Sequence, residues 1–127
     1  IMKIFGIGPD IVNVDRIKKF KKNKNLLGRI FSKEEVSKCN RLINSNNCYA
    51  KRFAAKEAFA KALGTGISNG MNFNEIIVMN EKNGKPFIKI RGKTMQIIKK
   101  KFKKKIKIDL SLSDEKKYAV AFVAISL

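Results

Sequence analysis

The 127-residue sequence has no histidine, no tryptophan and only two cysteines, Cys39 and Cys48. Without histidine, the chain lacks the commonest general base, so a catalytic triad built on histidine is excluded. With no closely spaced cysteine pair either, a zinc site made of Cys and His ligands is excluded. We expect the two cysteines to be reduced thiols without a chemical role, as is usual in cytosolic proteins.

Long apolar runs are also missing. No stretch of the sequence approaches the roughly 20 apolar residues of a membrane-spanning helix, and the residues before Asp10 lack the core of a signal peptide. We therefore expect a cytoplasmic protein without a membrane partner. The length fits one domain, residues 1–127, with a modest hydrophobic core.

Acidic residues are scarce, with 10 against 29 basic residues and a formal net charge of +19. A field of this sign attracts anions, such as nucleic acid, an acidic membrane or an acidic protein. Most of the basic residues are lysines, and isoleucine and asparagine are also frequent, a bias that AT-rich codons would produce. The charge alone therefore leaves open whether it was selected for a partner.

The order of periodic segments predicts an α+β fold, with an antiparallel sheet packed against a long central helix and shorter helices. Apolar or alternating patterns predict strands at residues 3–7, 75–80, 87–91, 106–113 and 118–127. Helices are expected from Arg16, capped by Asp15, after Ser32, and over 48–63 and 93–105. Ser32 and Glu35 have the spacing of a capping box, and residues 44–47 and 81–86 are expected to be a loop and a turn.

The predicted central helix is apolar on nearly every side and yet carries four charges. Of the twelve residues from Arg52 to Leu63, eight are Phe, Ala or Leu, and the charged residues are Arg52, Lys56, Glu57 and Lys61. A solvated face is the simplest explanation, but charges beside small, closely packing residues are partly desolvated and must be paired or used. We therefore favour an anion and metal site in this part of the chain.

The helix is followed by Gly64-Thr65-Gly66, which offers backbone N–H groups suited to phosphate oxygens. The simpler explanation of these glycines is a helix C-cap. The sequence alone does not separate the two.

These motifs resemble those of the holo-acyl-carrier-protein synthase family, which are small trimeric 4′-phosphopantetheinyl transferases. The resemblance covers essentially the whole chain. It rests on GIGPDIV at 6–12, FSKE at 31–34, RFAAKEAFAKALGTG at 52–66, GKP at 84–86 and SLSDE at 111–115. It implies that the phosphopantetheine group of coenzyme A is transferred to a serine of apo-acyl-carrier protein for fatty acid biosynthesis, with release of 3′,5′-ADP.

The resemblance also implies the roles of individual residues. Asp10 and Glu57 would bind Mg²⁺, an ion that takes few protein carboxylates and completes its shell with water and phosphate oxygens. Lys61 would neutralise charge on the transferred phosphate, and Glu57 is the candidate base, directly or through a metal-bound water. The coenzyme A contacts map to Arg52, Lys56, Lys61, Gly64, Thr65, Gly66, Gly84, Lys85 and Pro86.

The resemblance assigns Arg16 to the acyl-carrier protein. Residues 16–29 hold seven basic residues and no acid, which would steer an acidic carrier domain. A homotrimer with active sites at subunit interfaces is implied as well, and it would explain a helix that is apolar all round. A second basic run, residues 89–107, lies outside the family motifs, and we interpret it as solvated surface combined with compositional bias.

One departure from the family pattern is Asp114, which stands where the family commonly has histidine. An aspartate there would repel a coenzyme A phosphate unless it turns away or a lysine such as Lys116 or Lys117 substitutes. A milder departure is Asn13, at a usually acidic position.

Two other functions compete with this interpretation. A nucleic-acid-binding module without catalytic activity would use the lysines on phosphates, but the few arginines and the lack of an aromatic-interleaved basic motif argue against it. We expect no nucleic-acid partner. A membrane-surface protein would use the amphipathic segment 93–105.

Overall fold

The computed structural model describes residues 2–67 and 70–127, and within them it has an α+β fold, as predicted. The strands are β1 (Ile4–Asn13), β2 (Ile76–Asn80), β3 (Pro86–Ile90), β4 (Lys107–Asp114) and β5 (Tyr118–Ser126). The helices are α1 (Val14–Lys21), α2 (Lys24–Ile30), α3 (Lys33–Asn40), α4 (Ser45–Leu63) and α5 (Gly92–Phe102), with a 3₁₀ turn at Phe73–Glu75.

The strands form two antiparallel sheets, one in the order β1-β5-β4 and the other a β2-β3 hairpin. The central helix α4 packs on one face of the three-stranded sheet, against β1 and β5. Alternation along β5 buries Ala119, Ala121, Val123 and Ile125 in the core. The opposite residues of the strand, such as Phe122, therefore lie on the outer face of the sheet.

Two glycines of β1 allow α4 to lie directly on the strand. A Cβ atom at Gly6 would overlap the carbonyl oxygen of Ala62, and one at Gly8 would overlap that of Ala58. No residue larger than glycine fits at either position without moving the helix. The GIG motif therefore places Asp10, two residues beyond Gly8, beside the same helix.

Strand β1 continues to Asn13, so it is longer than the strand predicted at residues 3–7. Pro9 lies within it, opposite Phe122 of β5. Proline is tolerated in an edge strand because one side of such a strand pairs with no neighbour.

Several helix ends also differ from the prediction. Asn13, not Asp15, caps α1 by accepting a hydrogen bond from the Asp15 N–H at 2.8 Å. The basic run 16–29 forms two helices, because Asn23 caps α2 after α1 has ended. Helix α4 begins at Ser45, within the predicted loop, and α5 ends at Phe102. The capping box of Ser32 and Glu35 is confirmed.

Cys39 and Cys48 form a disulfide bond that joins the end of α3 to α4. The expectation of two reduced thiols is wrong, because the α3–α4 connection brings these positions to a Cα–Cα separation of 5.4 Å. Both cysteines are buried.

None of the helices in the described part of the chain is both long enough and apolar enough to cross a bilayer.

Candidate active site

An acidic and basic cluster forms where β1 meets α4. The Lys61 ammonium lies 3.0 Å from Asp10 Oδ1. The Asp10 side chain is 14% exposed, while that of Lys61 is 54% exposed. Glu57 precedes Lys61 by one helical turn, so both side chains project from the same face of α4. Three of the residues predicted for catalysis and metal binding are therefore neighbours.

The neighbouring charges affect the pKa of Glu57. Partial burial raises the pKa of Glu57, and the negative charge of Asp10 raises it further. The positive charges of Lys61 and Arg16 act in the opposite direction on the same pKa. Glu57 thus lies within electrostatic reach of Asp10, Lys61 and Arg16.

The two carboxylates fit the requirements of a Mg²⁺ site. Adjacent carboxylates disfavour each other's ionisation, and a divalent cation between them removes that repulsion. Among the described residues there is no group of three or more His, Cys, Asp or Glu that could hold a metal. Asp10 and Glu57 are the carboxylates of this cluster that could hold such an ion, and the metal site stays a prediction.

Arg16 lies at the margin of this cluster. Its side chain is exposed, and its guanidinium carbon is 5.8 Å from the centre of the Phe53 ring on α4. The residue is therefore accessible to a partner and close to the carboxylate pair.

Lys56 is not available to coenzyme A, so its predicted contact is wrong. Its side chain is fully buried and lies 2.8 Å from Glu35 Oε1. The ammonium also donates to the carbonyl oxygens of Phe73 and Ile76, so all three of its donors are used. Burial lowers the pKa of Lys56, and the charge of Glu35 acts against this shift. Lys56 is a structural cation that holds α3, α4 and β2 together.

Arg52 lies one turn before Lys56 on the same face of α4 and is only 4% exposed. It donates to the carbonyl of Cys48 at 3.3 Å and to Asn80 Oδ1 at 3.2 Å. Its Nε has no hydrogen-bond partner among the described residues. Arg52 also borders a small cleft of about 140 Å³, together with Lys38, Lys51 and Asn80.

Asn80 connects Arg52 to the β2–β3 turn, because its side-chain amide donates to the carbonyl of Gly84. The turn is closed by the Glu81 N–H donating to the Lys85 carbonyl at 2.8 Å. Gly84 has a φ of 91°, which explains the glycine. The structure thus groups Arg52 with Gly84, Lys85 and Pro86.

The predicted residues therefore fall into two groups on α4. Successive residues of a helix are about 100° apart, so Arg52 and Glu57 differ by about 140° around the axis. One group surrounds Asp10 and Glu57, and the other surrounds Arg52 and Asn80. Within a single chain, the helix body separates them.

Gly64 is the C-cap of α4, with a φ of 84° and its N–H donating to the Lys61 carbonyl at 3.0 Å. The simpler explanation of this motif therefore holds. Thr65 Oγ1 and the Leu63 carbonyl both accept from the Lys101 ammonium, at 3.4 and 3.3 Å. Because a helix C-terminus repels anions, a phosphate here would depend on such lysines, and the roles of Gly64, Thr65 and Gly66 stay predictions.

Two residues that the sequence did not single out contact Asp114, which stands at the usual histidine position of the family pattern. Lys51 lies 3.5 Å from Asp114, and Asn47 donates to the same carboxylate at 2.8 Å. The cation beside Asp114 is therefore Lys51 of α4, and the substitution of Lys116 or Lys117 for the family histidine stays a prediction. The only hint of Lys51 in the sequence was its position next to Arg52. That Lys51 faces Asp114 follows from where β4 ends, which the sequence alone does not show.

The sequence model of the 4′-phosphopantetheinyl transferase superfamily matches residues 6–123. The chain therefore belongs to this superfamily. A holo-[acyl-carrier-protein] synthase of Pelagibacter ubique is 50% identical to it over 123 residues, which are 96% of each chain.

Solved structures agree with this assignment. The crystal structure of a holo-[acyl-carrier-protein] synthase from Neisseria meningitidis has a TM-score of 0.85 and 38% identity, and the match covers 97% of this chain and 98% of that one. The enzyme from Bacillus anthracis, in complex with CoA (3′,5′-ADP), has a TM-score of 0.80 and 34% identity over 99% and 98% of the two chains. The prediction of a holo-acyl-carrier-protein synthase is confirmed.

Proposed function

We propose that this chain transfers the 4′-phosphopantetheine group of coenzyme A to a serine of an apo-acyl-carrier protein, with Mg²⁺ held by Asp10 and Glu57. The observation that carries the proposal is the meeting of these two carboxylates with Lys61 where β1 packs on α4. Family membership and the CoA-bound relative support the reaction.

In this reaction the serine oxygen of the carrier forms a bond to the phosphorus next to the pantetheine. The bond from that phosphorus to the bridging oxygen breaks, and 3′,5′-ADP leaves with that oxygen. When bound, Mg²⁺ would offset the negative charge of the diphosphate. Positioning and charge stabilisation carry most of such a reaction.

The chain's own groups have distinct tasks in this scheme. Glu57, which lies on the same face of α4 as Lys61, accepts the proton of the serine hydroxyl. The half-exposed ammonium of Lys61 can turn from Asp10 toward the phosphoryl oxygens and stabilise their charge. Arg16, exposed beside them, contacts the acidic carrier protein, which the lysines of α1 and α2 attract.

We further propose that the chain is a homotrimer. The outer face of the three-stranded sheet exposes apolar side chains: Ile7 (51%), Ile11 (61%), Val120 (41%) and Phe122 (46%). The register places Ile11 opposite Val120, and Phe122 opposite Pro9, so these residues form one patch. Contiguous exposed apolar surface of this kind is typical of an interface.

A trimer would also explain why the predicted coenzyme A contacts are divided in one chain. Arg52 and the Gly84–Pro86 turn of one subunit could face Asp10 and Glu57 of the next, which completes a site at the interface. Because coenzyme A and the carrier protein are cytoplasmic substrates, we place the enzyme in the cytoplasm.

The proposal is tested by mass spectrometry of apo-acyl-carrier protein incubated with coenzyme A, Mg²⁺ and this protein. We expect a mass gain of one phosphopantetheine group, and its loss when EDTA is added. Asp10→Asn and Glu57→Gln should each reduce the rate by at least about 100-fold, as expected for groups that stabilise transition-state charge. Glu34→Gln, a change at the exposed start of α3 and outside both groups of predicted site residues, is the control. Full activity of both site variants would refute the assignment.

A further inference from the structure

A large cavity lies away from the candidate active site, in the gap between the two sheets. Strands β3 and β4 belong to different sheets and do not pair with each other. Between them, with α5 as a further wall, is a cavity of about 820 Å³. Small-molecule sites typically have volumes of roughly 300–1,000 Å³. None of the residues predicted to bind coenzyme A or metal lines this cavity.

The walls of the cavity are mainly aliphatic. They are formed by Ile88, Ile90, Met95, Ile98, Ile106 and Ile108. Ile88, Ile90 and Ile98 are at most 9% exposed and belong to the hydrophobic core. A ligand in this cavity would therefore contact the core itself, and linear aliphatic groups are the chemistry that such walls accept best.

The rim of the cavity is cationic. Five exposed lysines line it, and no carboxylate does: Lys89, Lys99, Lys103, Lys104 and Lys105. Within residues 2–67 and 70–127, none of the five forms an ion pair with another side chain. Glu34 forms its ion pair with Arg91, at 2.7 Å, and not with Lys89; hydrogen bonds from Arg91 lower the pKa of Glu34, and the charge of Lys89 lowers it further.

We propose that this cavity binds an anionic amphiphile with a long, linear alkyl chain. The chain would lie along the isoleucines, and a carboxylate or phosphate head group would lie among the lysines. The sequence suggested that the basic run 89–107 is solvated surface combined with compositional bias. Under this proposal, the lysines of the run that line the cavity bind the head group. The proposal does not depend on the transfer reaction.

The position of the cavity is compatible with the proposed trimer. Ile108 is opposite Ile125, on the side of the sheet that faces α4. Phe122 and its neighbours point to the other side. An assembly through the outer face would therefore leave the cavity open.

Lys103 allows charge and folding to be tested separately. It is the C-cap of α5 and has a φ of 54°, the one non-glycine residue with positive φ in the described part of the chain. Glycine is the preferred residue in this conformation. Lys103→Gly should therefore leave the melting temperature unchanged or raise it, while it removes one cation from the rim.

The binding test is isothermal titration calorimetry with dodecanoate and with dodecyl phosphate, each below its critical micelle concentration. Decanoate and octanoate test the alkyl chain, and dodecanol and dodecyltrimethylammonium test the charge. We expect both anions to bind. The head group that binds more tightly, carboxylate or phosphate, indicates whether the natural ligand is a fatty acid or a phosphate ester. Two fewer methylenes should weaken binding about tenfold. Equal affinity for dodecanol or the cation would overturn the proposal.

Variants locate the binding site. Replacing Lys103 by Gly and both Lys104 and Lys105 by Gln should weaken dodecanoate binding at least about tenfold. The control removes the same charge elsewhere, by Gln at Lys3, Lys116 and Lys117, which are also exposed. Met95→Trp should place a larger side chain in the cavity wall and weaken dodecanoate binding. Unchanged affinity in both cavity variants, or binding only to anionic phospholipid vesicles, would refute the proposal.

Discussion

At the scale of single residues, the two lysines of α4 that the sequence grouped together have opposite roles. Lys56 is fully buried and paired with Glu35, whereas Lys61 is half exposed beside Asp10. The sequence shows both as cations on an apolar helix. Only the packing of α3 and β2 on one side of α4 distinguishes the structural lysine from the one available for substrate.

This difference predicts separate effects on stability and activity. Lys56→Met leaves the buried Glu35 carboxylate without its cation, so it should lower the free energy of unfolding by about 3–5 kcal/mol. Lys61→Met, the matched change on the exposed face, should cost less than about 1 kcal/mol and yet strongly reduce transfer. Urea denaturation and the mass-spectrometric assay measure the two effects. Equal loss of stability in both variants would contradict the assignment.

The ion pair of Glu34 and Arg91 predicts a pH dependence of stability. Two hydrogen bonds of 2.7 Å from Arg91 lower the pKa of Glu34 to about 2, from 4.5 in the unfolded chain. Because the folded pKa is the lower one, the contribution is complete above pH 4.5 and is lost as the pH falls toward 2. Both side chains are nearly half exposed, so the effect is small.

The measurement is the difference in melting temperature between wild type and Glu34→Gln. It should be greatest above pH 5 and vanish near pH 2. A difference that stays constant over this range would show that the pair contributes nothing through ionisation.

At the scale of elements, the sequence predicted the type of most helices and strands better than their ends. The alternating pattern of β5 and the capping box before α3 depend on local chemistry, so they could be identified from the sequence. The extension of β1 through Pro9 depends on its place at the sheet edge. The early start of α4 at Ser45 and the disulfide depend on tertiary packing, which no local pattern encodes.

The candidate site shows the same division. Asp10, Glu57 and Lys61 could be predicted as site residues because their motifs are specific; the structure brings them together, and their roles stay predictions. Lys56 was misassigned because a helical wheel gives the relative direction of side chains without showing which direction is buried. The pairing of Lys51 with Asp114 joins residues 63 positions apart in sequence, so it could not be predicted from spacing.

At the scale of the whole molecule, the apolar outer face of the sheet predicts the oligomeric state. Phe122→Lys places a charge in the proposed interface, so it should shift the mass in light scattering from three chains toward one and reduce transfer. Ile43→Lys is the control, because Ile43 is fully exposed on the α3–α4 connection. A wild-type mass of one chain, or a trimer that tolerates Phe122→Lys, would refute the proposed interface.

Neighbouring residues of β1 point in opposite directions, with Asp10 toward α4 and Ile11 toward the outside. Deleting one residue between Gly8 and Asp10 would therefore exchange these two orientations. The carboxylate would then emerge on the apolar outer side of the sheet, and isoleucine would occupy the position of the proposed metal ligand. Alternate positions of this strand thus serve the proposed subunit interface and the proposed metal site, so inserting or deleting one codon there would disrupt both.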